Sequence, residues 1–140
     1  MQQNKDTIYA RYCRMGRKVE LSGAVTLAAA VAGHMISGGN AFLSVLGGIG
    51  LLILVFGFAN MRPNNQIKAF AQQLTNTPDR DFAQGLLEAM EKNGKTLLSG
   101  RAIANLHQAI YMYEKSKDAD AALVEKLRAA AEKHVRKMPF

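Results

Sequence analysis

From Leu21 to Met61 the chain contains no Asp, Glu, Lys or Arg, a run of 41 residues in a protein whose charged share is 21%. The run is broken once, at Ser37-Gly38-Gly39-Asn40. A helix needs roughly 20 apolar residues to cross the hydrocarbon core of a bilayer. The run therefore fits two crossings joined by a minimal turn. It predicts an all-α membrane protein: a two-helix transmembrane hairpin followed by a small cytoplasmic helical lobe of three to four helices. The expected divisions are a basic amphipathic juxtamembrane helix over 1–20, the hairpin over 21–60 with its turn at 37–40, a linker and short amphipathic helix over 61–78, and the lobe over 79–140. Mean hydropathy is near zero only because an apolar half and a polar half cancel.

The second crossing, Ala41 to Ala59, is the stronger, with Ser44 its one polar side chain. Leu, Ile, Val and Phe each favour insertion by a few tenths of a kcal/mol. The first, Leu21 to Ser37, is Ala-rich and carries Ser22, Thr26, His34 and Ser37. The short turn would carry it in alongside its partner. Ala24, Ala28 and Ala32 recur every four residues, as do Ser44 and Gly48 in the second crossing. Small residues at that spacing let helix backbones approach closely in lipid. These five are the helix-packing candidates, for packing the two crossings together or for a homo-oligomer or a larger membrane complex.

Lys5, Arg11, Arg14, Arg17 and Lys18 precede the first crossing, Arg62 and Lys68 follow the second, and the turn has no charge. By the positive-inside rule both termini are expected in the cytoplasm, most simply of a bacterial inner membrane. Residues 1–20 hold five basic and two acidic groups, and 61–140 hold thirteen and nine. Because both basic regions flank the hairpin, anionic lipid headgroups are the expected partners rather than nucleic acid. Arg11, Arg14, Arg17 and Lys18, among Ile8, Tyr9, Tyr12 and Met15, have the composition of an interfacial helix and are the headgroup candidates. Cys13 stands alone, so no internal disulfide is possible; a juxtamembrane cysteine is a palmitoylation candidate in a eukaryotic host. Two other readings compete: a secretory signal ending near Ala30-Val31-Ala32, or the buried hairpin of a soluble helical bundle.

After Arg62-Pro63 the pattern is helical throughout. Ile67, Phe70 and Leu74 mark a short amphipathic piece. Thr77-Pro78-Asp79 reads as a helix start with Thr77 the cap, and Phe82, Leu86 and Met90 as the apolar face. Asn93-Gly94 should end that helix in a left-handed turn. Ser99 should cap a third helix faced by Ile103, Leu106, Ile110 and Tyr113, and Asp118 a fourth with Leu123, Leu127, Ala130 and His134. Residues 79–137 then form a three-helix layer, with 66–75 lying on it or on the membrane.

Chemistry-bearing patterns are sparse. Gly94-Lys95-Thr96 resembles the tail of a phosphate-binding loop, but Ala89 stands where the pattern needs glycine and a helix replaces the strand. His34, His107 and His134 are scattered, with no Glu-x-x-His and no CxxC, so no metal, cofactor or small-molecule substrate is expected. The acidic pairs Asp79/Asp81 and Asp118/Asp120 sit at helix starts, where they complement the helix dipole. His34 is the one ionisable group in the charge-free run and is the candidate functional intramembrane residue. Tyr111, four residues from His107, is the candidate partner contact.

The expectation is a non-enzymatic membrane-anchored interaction protein, or a small accessory subunit of a larger complex, using the helical lobe to bind a partner. Three alternatives remain, one of them an enzyme acting on lipids at the membrane surface, for which no catalytic set can be named. Residues 1–60, a hairpin with Gly/Ala-rich faces and both ends inside, resemble the architecture of holins, which implies an oligomeric pore. An ion- or transport-related subunit would centre on His34.

Overall fold

The computed structural model describes residues 7–135. Lys5, counted above for topology, and 136–140 of the lobe lie outside the described residues. Within them are six helices: α1 (Ile8–Ser37), α2 (Ala41–Met61), α3 (Pro63–Asn76), α4 (Arg80–Lys92), α5 (Gly100–Glu114) and α6 (Ala121–His134). The chain divides into two compact units. One spans Tyr12–Arg62; the other joins Met1–Arg11 to Pro63–Phe140.

In the first unit α1 and α2 form the hairpin, and each is long and apolar enough to cross a membrane. The stretches expected as a juxtamembrane helix and a first crossing form one 30-residue helix rather than two. Nothing between Lys18 and Leu21 stops it, since no proline or capping residue intervenes. The turn is built as its residues suggest. Gly38 and Gly39 have φ of 70° and 105°, values that glycine adopts without steric penalty. Asn40 then caps α2, its side chain accepting from the Phe42 N–H at 2.9 Å. At the far end Arg62 is extended (φ −62°, ψ 136°), as a residue before proline prefers.

The second unit is a ring of four helices. α3 packs against α4 and α5, and α6 against the same two, while α4 and α5 barely touch. The order around the bundle is thus α3, α4, α6, α5, so α3 is a full member rather than an accessory to a three-helix layer. Ile67, Phe70, Ala71 and Leu74 seal it into the core with Leu86, Met90, Leu106, Ile110, Tyr113 and Leu127. Gly85 admits the Phe70 ring: a β-carbon there would lie 2.6 Å from its edge.

Where two capping residues were available, the later one in the chain caps the helix. Asp79, not Thr77, caps α4, accepting from the Phe82 N–H at 2.9 Å. Asp120, not Asp118, caps α6, accepting from Ala122 and Leu123. The Asp118 carbonyl is instead used by the Tyr113 hydroxyl at 3.0 Å. Ser99 caps α5 as expected. α4 does not close in a left-handed turn: Asn93 sits at φ −113°, and its side-chain amide donates to the Ala89 carbonyl at 2.7 Å. The same carbonyl accepts from the Asn93 backbone N–H at 3.2 Å, so Asn93 closes the helix with two donors to one oxygen. Asp120→Ala should cost about 1 kcal/mol of lobe stability, read as a lower urea midpoint. Asp118→Ala, which removes no cap, should be near neutral.

Candidate interaction surfaces

The seam between α1 and α2 uses small residues, but at a different spacing from the one the sequence stresses. Gly23 faces Leu54, Gly50 faces Leu27, Gly47 faces Ala30 and Gly57 faces Glu20. Gly23 and Ala30 are seven apart, as are Gly50 and Gly57. A β-carbon at Gly23 would lie 2.5 Å from the Leu54 nitrogen, and one at Gly50 2.7 Å from the Leu27 nitrogen. Backbones this close admit only glycine at the contact. A seven-residue repeat keeps one face of each helix turned to its neighbour over several turns. That spacing was the legible signal, and the four-residue alanine stripe masked it.

Ala24, Ala28 and Ala32 are exposed, as are Ser44 and Gly48. They lie off the α1–α2 seam, and a β-carbon at Gly48 would meet nothing within 4 Å. Arg11, Arg14, Arg17 and Lys18 are also exposed. So are large apolar side chains along both helices, among them Val25, Val31, Phe42, Leu52 and Phe56. His34 is exposed at the turn. Its Nδ1 accepts from the Asn40 N–H at 3.4 Å and its carbonyl from the Gly39 N–H at 3.2 Å. The residue thereby helps close the turn, with its proton on Nε2 in the neutral ring.

Tyr9 does not lie on an apolar face beside Tyr12, as an interfacial helix would place it. It is buried in the lobe unit. Its hydroxyl donates to Gln66 Oε1 at 2.8 Å, and its ring lies 5.8 Å from that of Phe70. The Lys92 ammonium stands 5.6 Å from the ring centre. Thr7 donates to Glu88 Oε2 at 2.8 Å, and Asn93 donates to the same Gln66 oxygen at 3.3 Å. The first turn of α1 is thus locked to α3 and α4 by a polar network around a buried aromatic. A buried glutamine needs such partners to offset its desolvation.

Among the described residues His134 is the other buried polar residue of the lobe, at 1% exposure. Nδ1 lies 2.6 Å from the Thr96 carbonyl and Nε2 3.2 Å from that of Met90. The ring therefore joins the end of α4 to the 93–98 connection. Gly94-Lys95-Thr96 is part of that connection; the Thr96 N–H donates to the Asn93 carbonyl at 2.9 Å. The loop is a closed turn fastened to α6. Among the described residues no group of three His, Cys, Asp or Glu is placed to hold a metal ion.

Tyr113 is fully buried, its hydroxyl donating to the Asp118 carbonyl and accepting from the Asp120 N–H at 3.3 Å. Burial pushes its phenol above the ordinary value of 10, against the opposing Asp120 N–H. A raised value in the folded state means full stability below pH 10, lost as pH rises through the folded value. Tyr113→Phe should therefore lower stability by about 1 kcal/mol at neutral pH and flatten its decline above pH 10, as followed by urea unfolding across that range.

On the surface, Tyr111 is exposed at 57% with Lys115 at 5.8 Å from its ring; Met112, next to it in the chain, and Leu97 in the 93–99 connection are exposed as well. His107 is exposed as well. A groove of about 340 Å³ lies between α3 and α5, lined by Lys68, Gln72, Thr75, Asn76, Asn105 and Gln108. Comparison with known proteins finds no matching family model, no matching curated protein and no matching solved structure.

Proposed function

We propose that the chain is a non-enzymatic membrane-anchored interaction protein, or a small accessory subunit of a larger membrane complex, whose helical lobe binds a protein partner. The carrying observation is the burial of the two apolar helices. Only 11% of the most apolar window of each is buried. A core helix of a soluble bundle hides most of its surface, whereas a contiguous exposed apolar surface asks for lipid or a partner. This favours the transmembrane hairpin over the soluble alternative. The flanking arginines and lysines and the uncharged turn support a topology with both termini cytoplasmic, in a bacterial inner membrane.

The open stripe Ala24, Ala28 and Ala32 favours a second reading, in which copies of the hairpin associate into a pore. One experiment separates the two: affinity purification from native membranes in mild detergent, reading particle mass and co-purifying proteins. A stoichiometric foreign protein is the expected result. A pure homo-oligomer that releases dye from liposomes would overturn the adaptor reading in favour of the pore.

A further inference from the structure

We propose that the groove between α3 and α5 receives an extended, acidic segment of a partner polypeptide and holds it chiefly through its backbone. The inference rests on the reading of the lobe as a partner-binding surface, and gives that surface a place. Gln72, Asn76, Asn105 and Gln108 supply four carboxamides, all exposed. A carboxamide offers two donors and a carbonyl acceptor, enough to meet both the C=O and the N–H of a peptide unit. Gln72 and Asn76 are four apart in α3, a rise of about 6 Å along the axis. An extended chain presents like-facing peptide groups every two residues, about 6.6 Å. One row of carboxamides can thus meet successive backbone groups, with Asn105 and Gln108 forming the opposite wall.

The remaining two lining residues set polarity. Thr75 donates its hydroxyl proton to the Ala71 carbonyl at 2.9 Å, which leaves its oxygen to accept an N–H. Lys68 is the charged member of the lining, and no carboxylate opposes it, so the segment should carry an acidic side chain there. No large apolar side chain lines the groove. An amphipathic helix needs apolar pockets, whereas an extended segment draws its affinity from main-chain hydrogen bonds.

The test pans the purified full-length chain, in detergent micelles, against a library of short random peptides. Acidic, non-helical sequences should be enriched. Gln72→Ala combined with Asn105→Ala should weaken their binding roughly tenfold, the loss of one or two net hydrogen bonds. Lys68→Glu should turn the preference towards basic peptides. Circular dichroism melting should be unchanged in both variants, because the substituted side chains are exposed. No enrichment, enriched peptides indifferent to these substitutions, or helical peptides that respond to Tyr111→Ala instead would each overturn the groove. A native-membrane partner retained by the double variant would also sink it while leaving the adaptor reading intact. Failure to recover any partner with the unaltered chain is the separate failure of that reading.

Discussion

His134→Ala should remove about 3 kcal/mol from the lobe, the scale of a large-to-small change at a fully buried site with hydrogen bonds lost in addition. The ring fills core volume and, in any protonation state, donates to at least one of two carbonyls, those of Thr96 and Met90. The Met90 carbonyl lies in the last turn of α4, where a helix has no partner of its own for it. Alanine leaves both a cavity and carbonyls stripped of a donor. A helical core of this size supplies only about 3–5 kcal/mol, so the variant should be partly unfolded at rest. Urea unfolding followed by tyrosine absorbance would show it, because Tyr9 and Tyr113 are buried in this unit. His134→Leu separates the two contributions: it restores volume without a donor and should cost about half as much. Equal stability of His134→Leu and the unaltered chain would mean that the carbonyl contacts contribute nothing. Hydrogen exchange at the Leu98 amide, 3.5 Å from the His134 carbonyl, should accelerate in the alanine variant before the rest of the lobe opens.

What could be read from the residues alone depended on how local the cause was. The apolar face of α5, with Leu106, Ile110 and Tyr113 inside, follows from helical periodicity. Ser99 and the Gly38-Gly39-Asn40 turn are local too. Where two capping residues competed within three positions, at Thr77/Asp79 and Asp118/Asp120, local chemistry left the choice to the packing of the helix behind the cap. Tyr113 decided the second case by taking the Asp118 carbonyl. Tyr9 lay beyond reach for a different reason. Its partner Gln66 is 57 residues away, and a tyrosine among arginines at the start of an apolar helix has the same composition whether it faces lipid or a core. His134 was read correctly as facing the core side of α6, but the two carbonyls that receive it come from α4 and a loop. The groove between α3 and α5 is made by two helices that are not consecutive, and its polar residues look individually like any solvated surface.

Gly23→Val should part the hairpin, and this is the substitution that tests the seam itself. The atoms nearest a β-carbon at Gly23 are Leu54 N at 2.5 Å, Leu54 Cα at 2.8 Å and the Gly50 carbonyl at 3.0 Å. All are backbone, so no rotamer change relieves the clash and the helices must separate or slip. Overpacking costs typically 1–3 kcal/mol, and this case belongs at about 3. In the proposed bilayer setting the separated helices would meet no hydrophobic penalty that forces them back, because acyl chains solvate them as well as each other. A reporter is available in the structure. A β-carbon at Gly47 would lie 3.4 Å from that of Ala30, close to the separation a disulfide requires. With Cys13→Ser in place, Ala30→Cys and Gly47→Cys should oxidise readily to an intramolecular bridge in native membranes. Adding Gly23→Val should abolish most of that bridge, whereas Ala28→Val, on the open stripe, should leave it intact. Undiminished bridging with valine at 23 would show that the helices do not meet at that register. If Ala28→Val preserves the bridge yet reduces the mass of the particle purified from membranes, the two small-residue spacings have separate uses: seven-residue spacing holds the hairpin together, and four-residue spacing meets its neighbour.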